Sequence, residues 1–256
     1  MPAHNIRERK TVLVTRPKHQ AEPLCVKLVA HGFHPIRFPA MEIVPAQKPS
    51  TVTSHDAFIF TSANAVFDSV DLLEPLKREN KIIIAMGRGT KEALARFGVD
   101  EVLMPKGAAT SEEMHDFVRA FVKLSQSILI LTGVGGRGLL AKSLKVLHSV
   151  DVCEVYERVL PKTMPPESLI KDWCGARFSF SLITSQQTLE HLLCLVPMKY
   201  HAFLMANPMI VPSARVQDIA LQRGFNSVHL AHSALDEAML ASLLDVSQNL
   251  LQCSNA

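Results

Sequence analysis

Ala57-Phe58-Ile59-Phe60-Thr61-Ser62-Ala63-Asn64-Ala65-Val66 is a phrase this chain uses twice. Its outline returns as Phe180-Ser181-Leu182-Ile183-Thr184-Ser185-Gln186-Gln187-Thr188-Leu189. Each copy is an apolar run that stops at Thr-Ser and becomes helix-like. The run reads as a parallel strand buried on both faces. The helix that follows leaves free backbone N–H groups aimed outward, with the positive end of its dipole behind them. Such a turn can seat an anion, and two copies suggest two grips on one ligand with many negative charges. Thr61, Ser62, Thr184 and Ser185 read first as helix caps. Capping and ligand binding can share one terminus, because hydroxyls and amides converge there.

Similar runs recur at Thr11–Val14, Ile82–Met86, Ile128–Leu131, Met209–Val211 and Val228–Ala231. Helical spacing separates them at Ala21–His31, Thr90–Phe97, Glu112–Lys123, Leu139–Leu147, Ala214–Arg223 and Leu235–Leu250. The alternation predicts an α/β fold with parallel sheets. The repeat also extends past the Thr-Ser phrase. Leu94-Ala95-Arg96-Phe97-Gly98-Val99 parallels Ala220-Leu221-Gln222-Arg223-Gly224-Phe225, each a helix end with a glycine stop. Val12-Leu13-Val14-Thr15 matches Leu129-Ile130-Leu131-Thr132. Three matches in one order favour a duplicated α/β unit over the general likeness of strand–loop–helix units. Proline clusters at Pro39, Pro45 and Pro49, and at Pro161, Pro165 and Pro166, mark joints.

Composition narrows the function. With 256 residues, 48% apolar and 20% charged, the chain has ample material for one large or two smaller cores. A net charge of +3, with no basic run, argues against nucleic acid. No apolar stretch reaches spanning length, so no membrane partner is expected. The first ten residues lack an apolar core for a signal peptide. The five cysteines, Cys25, Cys153, Cys174, Cys194 and Cys253, form no C-x-x-C pair. They read as reduced thiols of a cytoplasmic protein.

Gly133-Val134-Gly135-Gly136-Arg137-Gly138 fits G-x-G-x-x-G between a strand and a helix, with Glu154 where a ribose-binding acid could fall. A nucleotide-binding oxidoreductase is one reading; a tight turn with an anion-friendly helix start is the plainer one. Histidine spacing offers no metal site. No nucleophile elbow, phosphate loop or zinc-protease motif is present. Arg16, Arg137 and Arg215 could each pair a carboxylate, against a default of solvated surface arginine. Tyr156 is either an aromatic that packs a connector or a phenol that donates a proton.

These phrases in order resemble the uroporphyrinogen-III synthase family. The matching segments are Val12–Pro17, Phe60–Val66, Ala85-Met86-Gly87-Arg88-Gly89-Thr90, Gly135-Gly136-Arg137, Val155-Tyr156-Glu157-Arg158, Ile183-Thr184-Ser185, Ser213-Ala214-Arg215-Val216 and Gly224-Phe225. The resemblance implies two parallel-sheet α/β domains joined by a two-stranded connector, with the active site in the interdomain cleft. Residues 1–40 and 165–256 would form a discontinuous first domain and 50–154 an inserted second one, with 41–49 and 155–164 as connecting strands. It implies cyclisation of hydroxymethylbilane, an anionic linear tetrapyrrole, to uroporphyrinogen III. Water is lost and ring D is inverted. No cofactor or metal takes part, and the protein is expected to be a monomer. Tyr156 would assist departure of the hydroxyl. Thr15, Arg16, Thr61, Ser62, Asn64, Gly87, Thr90, Arg137, Thr184, Ser185 and Ser213 would bind the substrate. Arg215-Val216 departs from the Thr-Thr pair of some relatives. The alternative function is a non-catalytic two-lobed protein that binds a polycarboxylate or tetrapyrrole.

Overall fold

A computed structural model describes residues 9–46, 54–106, 111–136 and 138–254. The chain begins with β1 (Lys10–Val14), α1 (Lys18–Ala30), β2 (His34–Arg37) and β3 (Glu42–Pro45). It continues through β4 (Ala57–Phe60), α2 (Ala63–Phe67), α3 (Val70–Arg78), β5 (Ile82–Ala85) and α4 (Arg88–Ala95). Next come α5 (Ser111–Phe121), β6 (Ser127–Gly133), α6 (Leu139–Leu144) and β7 (Ser149–Val159). The remainder is α7 (Glu167–Cys174), β8 (Phe178–Leu182), α8 (Gln186–Leu195), α9 (His201–Ala206), β9 (Met209–Val211), α10 (Ala214–Gln222), β10 (Val228–Leu230) and α11 (Asp236–Ser254).

Contacts divide the chain into two compact units, Met1–Glu42 with Val159–Ala256, and Ile43–Arg158. The first holds a five-stranded sheet in the order β10-β9-β8-β1-β2. All its pairs are parallel. Its strand β1 comes from the start of the chain and pairs with β8, Lys10 opposite Phe178. Alternate residues face opposite sides of a strand, so both faces must be covered. Val12, Val14, Phe180 and Leu182 pack under α1 and α11 with Leu24, Leu28, Met239 and Leu243. Leu13, Met209 and Val211 pack on the other side with Trp173, Leu189, Leu192 and Val216. Trp173 is fully buried, and its indole N–H donates to the Phe180 carbonyl at 2.8 Å.

The second unit holds a five-stranded sheet in the order β3-β7-β6-β4-β5. Strands β4 to β7 run parallel. Phe58, Phe60, Leu129 and Leu131 meet α2, α3 and α4 through Val66, Leu73, Leu76 and Leu94. Ala57, Ile59, Ile128 and Ile130 meet α5 and α6 through Met114, Val118 and Leu144. Of the segments expected as connectors, Glu42–Pro45 and the end of β7 are neighbours in this sheet. Residues 47–49 lie outside the described residues.

The repeat read in the sequence has a backbone counterpart. After α4, Val99 N–H reaches the Leu94 carbonyl and Gly98 N–H the Ala95 carbonyl. After α10, Phe225 reaches Ala220 and Gly224 reaches Leu221 in the same pattern. Both glycines sit at positive φ, +70° and +92°, where a Cβ would be strained. These are Schellman stops. Several helix boundaries differ from expectation, α11 among them, which runs to Ser254 rather than Leu250. α6 ends at Leu144 rather than Leu147, and α1 begins at Lys18, upstream of Pro23.

Candidate functional site

In a parallel sheet the strand ends that precede the helices share one edge, and that edge is where ligands bind. In the second unit this edge is laced by backbone hydrogen bonds. Met86 N–H donates to the Phe60 carbonyl at 3.1 Å, Thr61 N–H to Leu131 at 3.1 Å, and Val134 N–H to Tyr156 at 2.8 Å. The lacing brings Gly87, Thr61, Ser62, Gly133 and Tyr156 into one row. Ser62 is the N-cap of α2, in extended backbone, and its Oγ accepts from the Ala65 N–H at 3.2 Å. Gly87 caps α4 in the same extended conformation, without a side chain. Asn64 and Thr90 are buried, 8% and 5% exposed, a few positions beyond these caps.

Tyr156 reaches this edge through an irregularity. The pairing of β6 with β7 slips between Thr132 and Gly133, so Thr132 faces Glu154 but Gly133 faces Tyr156. A straight strand would send Val155 and Tyr156 to opposite faces. The bulge turns both into the same core, as bulges do near functional edges. The ring of Tyr156 lies against Gly133, and the residue is 1% exposed. Its hydroxyl meets Ser62 Oγ at 3.0 Å and accepts from Arg158 Nη2 at 2.6 Å. The Arg158 guanidinium also stands 5.1 Å from the ring centroid, within cation–π range. On the same strand, burial pushes the Cys153 thiol above its ordinary range, so it stays protonated.

The corresponding edge of the first unit repeats the design. Ser185 caps α8 with φ −163° and ψ 164°, against −160° and 163° at Ser62. Its Oγ accepts from Thr188 N–H at 3.1 Å. Ser213 caps α10 in extended backbone without a side-chain bond. The threonines differ from the expectation that they cap. Thr61 Oγ1 donates to the Leu131 carbonyl at 3.1 Å, and the cap bonds at both turns come from the serines. Only a residue in the N-cap position itself can aim an oxygen at the third helical N–H.

Thr15 and Arg16 are engaged internally. Thr15 is fully buried and donates to the Leu182 carbonyl at 2.6 Å, tying β1 to β8. Arg16 Nη1 pairs with Asp236 at 2.6 Å and Nη2 donates to the Ala234 carbonyl at 2.6 Å. Arg137 lies outside the described residues. The glycine turn beside it does not have the form of a dinucleotide loop. Gly135 N–H already holds the Glu154 carboxylate at 3.0 Å, and the helix that follows has six residues.

Two residues of this edge escape a reading of the sequence. Gly133 reads as the first glycine of a G-x-G-x-x-G turn, and nothing in that motif marks it as making room for the Tyr156 ring. Arg158 has a usable signal, because it stands two residues from Tyr156 on one strand and so shares its face.

The comparisons fit this fold. A family model described as "Uroporphyrinogen-III synthase HemD" matches residues 22–241. The chain belongs to the uroporphyrinogen-III synthase family. The uroporphyrinogen-III synthase of Escherichia coli (strain K12) is 26% identical over 245 residues, covering 91% of this chain and 99% of that one. That of Salmonella typhimurium is 27% identical over the same shares. Uroporphyrinogen-III synthetase from Helicobacter pylori shares the fold, with a TM-score of 0.60 at 19% identity over 93% of this chain and 99% of that one. A mutant uroporphyrinogen III synthase from Thermus thermophilus gives 0.52 at 17% identity, over 94% and 99%. Uroporphyrinogen-III synthases are enzymes of haem and tetrapyrrole biosynthesis, and these relatives lend no support to a non-catalytic binding protein.

Proposed function

We propose that this chain converts hydroxymethylbilane to uroporphyrinogen III, with loss of water and inversion of ring D. The observation that carries the reading is the family match across residues 22–241. The chemistry asks for orientation above all. The hydroxyl must leave, and ring D must turn before the macrocycle closes. Holding a flexible chain in one reactive arrangement removes entropy from the barrier. Carboxylates suit backbone amides and hydroxyls at helix starts, which favours Thr184 and Ser185 at α8, Ser213 at α10, and Gly87 and Thr90 at α4. Thr61, Ser62, Asn64 and Arg137 join them in the same role. Tyr156 assists hydroxyl departure. Thr15 and Arg16, just after β1, are further substrate-binding residues. The domain boundaries, 1–40 with 165–256 and 50–154 between connectors 41–49 and 155–164, rest on the same resemblance. A monomeric state is proposed with them; a cytoplasmic location and the absence of nucleic-acid and membrane partners rest on the net charge, the cysteine usage and the length of the apolar stretches. No helix among the described residues is long and apolar enough to cross a membrane. Supplying hydroxymethylbilane and separating the product isomers tests the reading. Type I product alone, formed at the uncatalysed rate, overturns it.

A further inference from the structure

The hydroxyl of Tyr156 is the group the reaction calls for, yet the residue is 1% exposed. Its bonding shows which way its proton points. Arginine can only donate, so Tyr156 Oη is the acceptor in the bond from Arg158. A buried hydroxyl needs an acceptor for its own proton. Ser62 Oγ, at 3.0 Å, is the one within reach among the described residues. Ser62 Oγ then accepts twice, from Tyr156 and from the Ala65 N–H. Its two lone pairs are used, and its own proton has no acceptor among the described residues. Ser62 is partly exposed, whereas Tyr156 is buried. The bonds form a directed chain, from Arg158 to Tyr156 to Ser62 and outward.

We infer that Ser62 is the catalytic acid that touches the substrate, and that Tyr156 acts through it with Arg158 as positioning residue. The inference rests on the cyclising function proposed above. The substrate's C–O bond breaks, and its electron pair leaves with the oxygen. That oxygen takes the Ser62 proton and departs as water. Ser62 takes the Tyr156 proton, and the phenolate is held by the Arg158 guanidinium. The carbon left behind is a cation stabilised by its pyrrole nitrogen. A ring D pyrrole carbon attacks it; the bond from ring D to its original methylene breaks and re-forms at the ring's other α-carbon, which inverts the ring, and the proton lost on closure returns along the chain to Tyr156. One water leaves and the enzyme is restored.

Substitutions at Ser62 separate relay from capping. Asparagine caps a helix as well as serine, but its amide does not pass a proton. Ser62→Thr keeps both cap and hydroxyl. The full-length protein is given hydroxymethylbilane in single turnover, and type III formation is timed in H2O and D2O. Ser62→Asn is expected to slow the step about a hundredfold, the lower reach of general acid catalysis, with an unchanged thermal midpoint. Ser62→Thr is expected to recover to within about threefold of the parent. Tyr156→Phe added to Ser62→Asn costs nothing more, since the two act in one path. Arg158→Gln slows the step and Arg158→Lys partly restores it. The solvent isotope effect of the parent shrinks in Ser62→Asn. A parent that makes only type I product overturns this inference together with the function. An active parent whose Ser62→Asn variant matches its rate and isotope effect overturns the relay alone, as does a double variant whose losses multiply.

Discussion

Gly133 and Tyr156 share one space. A Cβ at Gly133 would lie 2.6 Å from Tyr156 Cζ and 2.9 Å from its hydroxyl oxygen, closer than non-bonded atoms approach. The ring is also pinned by the bulge opposite Gly133 and by Arg158. Gly133→Ala therefore has to displace the phenol. The expected cost is about 1–3 kcal/mol of overpacking, together with slower type III formation. Denaturant midpoints and the isomer assay check both, and a variant with parental values in each would show that the ring moves aside freely.

Ser185 should behave as a cap and Thr184 should not. Ser185→Ala removes the acceptor from Thr188 N–H and is expected to cost about 1 kcal/mol. Ser185→Asp should restore stability, because a carboxylate caps equally well and suits the helix dipole. Thr184→Val should change stability less than Ser185→Ala does. Urea unfolding of the three variants measures the order.

Arg16 and Asp236 are 14% and 15% exposed at the side chain and 2.6 Å apart. Asp236→Ala leaves the guanidinium its bond to the Ala234 carbonyl but takes away the opposite charge, and it removes an acid from the first turn of α11. The expected loss is about 1–3 kcal/mol, as for a buried charged group deprived of its partner, above the roughly 0–1 kcal/mol of an exposed pair. A double-mutant cycle with Arg16→Met measures the coupling; a value near zero would class the pair as a surface contact.

Burial pushes the His229 imidazole on β10 below its ordinary 6.5, and Ser227 Oγ lies 2.9 Å from its Nε2. The folded state thus binds this proton less readily than the unfolded state. Where the unfolded state holds more protons, stability rises with pH. The stability is complete above about pH 6.5 and declines as pH falls below it. His229→Asn should flatten that decline. Thermal midpoints from about pH 8 to about pH 5 in both proteins test it, and parallel curves would remove His229 as the cause.

The alternation of apolar runs and helical spacing is enough to read the architecture, because strands covered on both faces announce themselves as unbroken Ile, Val, Leu and Phe. The Ser62 and Ser185 caps are legible for the same local reason. The placement of Tyr156 is not. Strand periodicity assigns it the face opposite Val155, and only the slip at Gly133 turns it inward. The ion pair of Arg16 is hidden from the sequence because its partner, Asp236, is 220 residues away. A strand-end arginine looks the same whether it meets a ligand or a distant helix.

β1 pairs with β2 on one side and β8 on the other. During synthesis, the stretch from Lys10 to Phe178 takes roughly ten to thirty seconds to emerge at typical elongation rates. Ile43–Arg158 can complete its own sheet in that time. β1 and β2 cannot, since β8, β9 and β10 do not yet exist outside the ribosome. The nascent chain must therefore carry Val12, Leu13 and Val14 with an open strand edge while its middle is already folded. That interval, rather than the finished structure, is where this protein is most exposed to mispairing and to rescue by chaperones.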